Sequence, residues 1–109
     1  MLYWHDKEAE LEASKALVND LDLSLLDPNG TTYLPWVLNI DPSAVDDPAQ
    51  RDIDTLNNIE QITIDLPTAG TYVLKVKGSA IPQGPQKYHL TYEFAVSYTH
   101  LTLPTILLV

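Results

Sequence analysis

From residue 17 to residue 26 the chain alternates. Leu17, Leu21, Leu23 and Leu25 share one parity, and Asp20, Asp22 and Ser24 share the other, with Val18 outside the pattern. A period of two predicts a strand with one buried face. Asp27-Pro28-Asn29-Gly30 then supplies a turn, since proline fits its second position and glycine tolerates positive φ. Residues 31–34 return as a short strand, so 17–34 read as a β-hairpin. The alternation resumes at 60–65, with Ile62 and Ile64 inward. At 71–77 it points Tyr72, Leu74 and Val76 inward, and at 87–95 it puts Tyr88, Leu90, Tyr92 and Phe94 on one face. Residues 2–4 read as a strand stub. Residues 7–16 have helix-friendly composition but no sustained apolar stripe, so a loop or one short turn serves equally well.

Pro67-Thr68-Ala69-Gly70 and the Gly/Pro-rich 78–86 separate the later strands. Short strands at this spacing, with turn signals between them and no convincing helix, predict an all-β fold. The expected architecture is an antiparallel β-sandwich of jelly-roll or galactose-binding-domain-like topology. The longest irregular stretch, residues 36–59, holds Asp41, Asp46, Asp47, Asp52 and Asp54. A loop of this length is functional or mobile, so its Asp-rich part, residues 41–54, suits docking of another domain or an ion as well as it suits a disordered insertion.

A length of 109 residues and a hydrophobic fraction of 45% bound the chain to one domain with a modest core. The net charge of −9 is unevenly spread: residues 1–65 hold 14 acidic and 3 basic side chains. A nucleic-acid partner requires cations to displace phosphate counterions, and an anionic membrane surface requires a basic patch, so both are set aside. No cysteine is present, which removes disulfides and thiolate chemistry but leaves the compartment open. The opening MLYWHDKEAELEA has neither the basic nor the apolar region of a signal peptide and reads as a chain entered in mid-domain. The closing LTLPTILLV is too short to span a bilayer. Residues 96–109 are uncharged and apolar, unlike what precedes them. They resemble a non-native tail, with an ordinary final strand as the alternative, so the domain proper is expected to occupy residues 1–95, and no site is placed on His100.

The acidic half raises the question of a cation. Ca²⁺ takes six to eight oxygens from carboxylates and carbonyls. Asn19, Asp20 and Asp22 offer some, but Asp20 and Asp22 on a flat strand stand roughly 6–7 Å apart by strand rise. A neighbouring segment must complete such a site: Glu60, Asn58, or the Asp46–Asp47 pair. The spacing of an EF-hand is absent. The same residues also suit a solvated strand face, and the alternation ranks that reading first and the Ca²⁺ site second. Paired carboxylates for glycoside hydrolysis have no support beyond abundance.

Trp4, Tyr33 and Trp36 are candidates for a carbohydrate-stacking platform. Trp4 lies within an apolar strand and suits the core better, whereas Trp36 at a strand end suits exposure. His5 and His89 read as solvent histidines, since no second histidine stands at a ligand spacing such as i+2 or i+4. Ser14 beside Lys15 is not a dyad, because adjacent strand side chains point apart.

Four segments carry a family resemblance: LYWHD, ASKALVNDLDLSLLDPNGTTYLPWVL, LNNIEQITIDLPTAGTYVLKVKG and IPQGPQKYHLTYEF. In this order, over roughly residues 2–94, they resemble the C-terminal β-sandwich domain of secreted bacterial subtilisin-like serine proteases. NDLDLSLLDPNGT is also loosely similar to the P domain of proprotein convertases. The resemblance implies a non-catalytic accessory domain that packs in cis on a subtilisin-like catalytic domain and stabilises it, with Ca²⁺ in some members. It further implies a secreted parent and a monomer. The segments that carry the protease triad (Asp-Ser/Thr-Gly, His-Gly and Gly-Thr-Ser) do not occur here, so the chain itself is not expected to be an enzyme. The competing expectation is a carbohydrate- or protein-binding module, marked by Trp36 exposed beside other aromatics.

Overall fold

The computed structural model describes residues 1–94 and 105–108. The described chain is all β apart from one short 3₁₀ turn, Pro42–Ala44. Nine strands follow in chain order. They are β1 (Leu2–Trp4), β2 (Asp20–Leu26), β3 (Thr32–Tyr33), β4 (Trp36–Val37) and β5 (Gln50–Arg51), then β6 (Ile59–Glu60), β7 (Thr71–Ala80), β8 (Tyr88–Leu90) and β9 (Thr105–Leu108). One sheet runs β6-β1-β8, a second runs β3-β2-β7-β9, and β4 pairs with β5.

Leu2 and Trp4 from the first sheet join Leu17, Leu21, Leu23 and Leu74 in one apolar cluster. The two larger sheets therefore share a single core. Along β2 the expected inward leucines Leu21 and Leu23 are buried, and Leu25 packs against the cluster's edge. Along β7, Tyr72 and Leu74 are buried and Val76 is half-buried, as the alternation requires.

The hairpin turn forms as its residues predict. Gly30 N–H donates to Asp27 O at 3.1 Å, and Asp27 N–H reaches Thr31 O at 2.9 Å. The Asp27 carboxylate accepts from the Asn29 and Thr31 amides at 2.9 and 2.8 Å. Gly70 lies against this turn. Its φ is +146°, and a Cβ there would lie 2.6 Å from Pro28 Cγ. Strain and contact act together, so Gly70→Ala is expected to cost about 1–3 kcal/mol. A urea titration checks this, with a lower midpoint at unchanged slope as the expected result.

Several strands are shorter than their sequence patterns. The segment 60–65 contributes only Glu60 to β6, because the carbonyl of Gln61 turns to accept from Trp36 N–H at 2.9 Å. Ile62 and Ile64 are still half-buried. The described part of the segment, 87–94, is strand only over Tyr88–Leu90, since its partner β1 supplies three residues. Tyr88, Tyr92 and Phe94 are consequently exposed rather than one buried face. In the opposite sense, β7 runs on through Gly78 to Ala80, where a loop was expected.

All described pairings are antiparallel except that of β7 with β9, which is parallel. A parallel pair needs a long crossover, and the stretch between Ala80 and Thr105 is long enough to place β8 in the other sheet on the way. The expected tail 96–109 thus falls partly on β9 and otherwise, with His100, outside the described residues.

Candidate functional site

The centre of interest is the start of β2. Asp6 prepares it: its two carboxylate oxygens accept from Val18 N–H at 2.7 Å and Asn19 N–H at 2.8 Å. Trp4 donates its indole N–H to Asn19 O at 3.1 Å from within the core. Asn19 is itself fully buried and fully engaged. Its amide nitrogen donates to Gln83 O and to Gln86 Oε1, and its Oδ1 accepts from Gln83 N–H at 3.2 Å. Asn19 thus pins the 81–86 loop to β2.

The next residues behave differently. Asp20 pairs with Ala80 and Leu21 with Gly78, so Ser79 is an extra residue and the ladder is bulged at this point. A bulge bends its strand and re-aims nearby side chains. Ser79 Oγ donates to Asp22 Oδ2. Across the core, Glu60 enters from β6. Its Oε1 accepts from Leu23 N–H at 2.8 Å. Asp27 N–H already bonds toward β3, so Leu23, of the same parity, presents its N–H to the same edge, where β3 has ended. Glu60 takes the place of a missing strand.

One carboxylate oxygen from each of Asp20, Asp22 and Glu60 lies within 4.8 Å of the other two. Glu60 is 2% exposed and Asp20 7% exposed. Three of their oxygens, Asp20 Oδ1, Asp22 Oδ1 and Glu60 Oε2, are buried and have no hydrogen-bond partner. An unpaired buried acceptor costs about 1–3 kcal/mol, and a charged one more. Burial first, then the nearby Asp22, Asp54 and Asp20 charges, raises the Glu60 carboxyl to about 8 against the pull of the Leu23 amide. Burial, then Asp22, likewise raises Asp20, with Lys15 opposing.

The donor set fits a hard divalent cation. Ca²⁺–oxygen distances of about 2.3–2.6 Å let ligand oxygens stand up to roughly 5 Å apart across one ion, which accommodates this cluster. All-oxygen ligation favours Ca²⁺, Mg²⁺ or Mn²⁺ over softer metals. A cleft of ≈ 210 Å³ lined by Asp22, Ser24, Glu60, Lys75 and Lys77 opens beside the cluster.

The residues proposed from sequence divide accordingly. Asp20, Asp22 and Glu60 come together. The bulge removes the objection that a flat strand keeps its two aspartates apart, and the 2% exposure of Glu60 replaces the picture of a solvated acidic face. Asn58 instead donates its side-chain amide to Trp4 O at 2.8 Å, tying the 54–58 turn to β1. Asp46 and Asp47 are exposed on the 41–49 loop and lie outside the cluster. Asp54, named only among the acids of the long loop, is buried and charges the cluster's surroundings. Its carboxylate accepts from Leu56 N–H, Asn57 N–H and Asn57 Nδ2, so it is satisfied within its own turn. An Asp three residues before an Asn, both able to close a turn, was the available signal.

The aromatic candidates also separate. Trp4 is core. Trp36 is exposed, with its indole N–H on Thr63 Oγ1 at 2.7 Å. The Arg51 guanidinium lies 4.1 Å from the Trp36 ring centre and 4.9 Å from that of Tyr33. Arg51 is fixed there by the carbonyls of Leu34 and Thr63. Trp36 is thus exposed near a second aromatic, but the guanidinium covers one face of each ring that a sugar would stack on.

No family model matches the chain, and no solved structure matches it. The chain is 33% identical over 91 residues to a Dictyostelium discoideum protein named as a serine protease/ABC transporter B family protein, tagB. That match covers 84% of this chain and 5% of the longer protein. Similarity to a protein named for a serine protease thus covers most of this chain, which spans about 5% of that protein's length.

Proposed function

We propose that this chain is a non-catalytic accessory β-sandwich of a secreted subtilisin-like serine protease, packing on the catalytic domain in cis. We further propose that Asp20, Asp22 and Glu60 hold a structural Ca²⁺ that joins its two sheets. The observation that carries the metal reading is the convergence of three carboxylates from two different sheets, each with a buried oxygen that has no hydrogen-bond partner. An ion there neutralises charge that the fold otherwise buries uncompensated. The protease association is supported by the four segments quoted above and by the serine-protease name of the relative. The chain's own contribution is mechanical: β6 and β2 are bridged at the site, so the ion would fix the first sheet against the second.

Thermal unfolding with Ca²⁺, with Mg²⁺ and with a chelator tests the metal. A ligand that binds only the native state stabilises it by RT ln(1 + [L]/Kd). Excess Ca²⁺ at about 100 times Kd adds about 2.7 kcal/mol, a rise of several degrees for a domain of this size. An equal melting temperature in Ca²⁺ and in chelator would defeat the metal reading. The docking reading is tested separately by adding the domain in trans to a parent protease that lacks it, with restored thermal resistance as the expected result.

A further inference from the structure

His5 and His89 are 84 positions apart in sequence, and spacing along the chain gave no hint that they meet. The β1–β8 pairing brings them together. Tyr3 stands opposite His89, so His5 is the diagonal neighbour of His89 on the same face. This face is turned away from the core, because Leu2 and Trp4 of the opposite parity are buried. The Tyr3 and His89 rings are stacked, with centroids 4.9 Å apart and planes 20° apart. The His5 ring meets His89 edge-on at 6.2 Å.

We propose that His5 and His89 form a two-histidine surface site for a borderline divalent ion such as Zn²⁺. Zinc bound at about 2.1 Å from each ring nitrogen sits roughly 3.2 Å from each ring centre. Two chelating rings then have centres roughly 5.2 Å apart at a tetrahedral angle and roughly 6.4 Å apart when opposed. The observed 6.2 Å stands about 1 Å beyond the tetrahedral separation, so the His5 ring must swing inward when an ion binds. His5 is exposed and free to rotate toward its partner, while Tyr3 holds the plane of His89. Only one of the two side chains must therefore be ordered on binding. Imidazole nitrogens select Zn²⁺, Cu²⁺ or Ni²⁺, whereas the buried carboxylates select Ca²⁺ or Mg²⁺, so the two sites differ in the ion they take. Two protein ligands leave the remaining positions on the ion to water or to an outside donor, the coordination of an open site.

The test uses the full chain carrying His100→Ala, which removes the third histidine. Zn²⁺ is titrated at neutral pH while the imidazole proton resonances and the heat of binding are followed. The expected result is that the His5 and His89 signals move together as one ion binds. His5→Ala is expected to weaken Zn²⁺ binding about a hundredfold, the effective-concentration advantage of a second tethered ligand. The same titration in excess Ca²⁺ is expected to leave the Zn²⁺ response of the two imidazoles unchanged, which separates this site from the carboxylates. Because His5 is exposed, its variant tests the ligand role without disturbing the core. A response from a single histidine, an unchanged affinity in His5→Ala, or loss of the imidazole response in excess Ca²⁺ would overturn the proposal.

Discussion

Glu60→Gln is expected to raise the melting temperature in chelator at pH 8 and, in the same protein, to abolish stabilisation by Ca²⁺. The two effects have one cause. The glutamine carbonyl still accepts from Leu23 N–H, the one hydrogen bond Glu60 makes. The other end of the side chain changes from an unpartnered oxygen to an NH₂ that faces the Asp20 and Asp22 oxygens, turning a repulsion into a donor. A merely structural glutamate would behave oppositely, losing stability with or without the ion.

The pH dependence of the metal-free wild-type chain follows with a definite sign. The Glu60 carboxyl is raised from 4.5 to about 8 on folding. Between those values the native state holds a proton that the unfolded chain has released. Stability therefore falls as pH rises, by up to about 1.4 kcal/mol per pH unit over that window, and levels off above pH 8. The upward shift of Asp20 adds loss of the same sign at the acidic end. Bound Ca²⁺ cancels the trend, since it holds the carboxylates ionised as they are in the unfolded chain and its affinity grows as they deprotonate. Melting curves from pH 5 to pH 9, with and without Ca²⁺, should diverge as pH rises, and those of Glu60→Gln should not. Parallel wild-type curves would remove the carboxylates from the metal reading.

How much of this was legible in the chain differs from element to element. The hairpin was fully so, because Asp27-Pro28-Asn29-Gly30 is a local device whose hydrogen bonds close within five residues. The burial of Leu21, Leu23, Tyr72 and Leu74 was legible for a related reason, since a period of two has one inward face. Glu60 was named as a candidate ligand, and its parity with Ile62 and Ile64 put it on the inward face, but its partner was hidden. That partner, the unmet N–H of Leu23 where β3 ends, depends on pairing between distant segments. The bulge at Ser79 was hidden too, because the sequence around Gly78 reads as the start of a loop. The strand lengths of 60–65 and 87–95 were overestimated wherever the partner, not the pattern, sets the limit. The meeting of His5 and His89 is the same lesson on the other face. Cross-strand register brings together what no window along the chain can show.

Trp4→Ala is expected to be the most damaging single substitution in the described core. The indole is 1% exposed and packs where both sheets meet. Removing a buried tryptophan typically costs about 3–5 kcal/mol, from lost transfer energy and the cavity left behind. The substitution also strips the donor from Asn19 O, an additional loss of about 1 kcal/mol or more. Domains of this size hold only about 5–15 kcal/mol in all, so the alanine variant should melt early or fail to fold cooperatively. Trp4→Phe separates the two contributions. It keeps most of the ring volume and loses the indole N–H, so its cost should be about 1–3 kcal/mol with the fold intact. Asn19 lies directly before Asp20, and its carbonyl is what the indole holds in place. The phenylalanine variant should therefore also bind Ca²⁺ more weakly than wild type, although Trp4 itself offers no ligand. Urea unfolding gives the first quantity and the Ca²⁺-dependent shift of the same curves gives the second. A Trp4→Phe protein destabilised as expected but with wild-type Ca²⁺ affinity would show that the core and the carboxylate cluster are energetically independent.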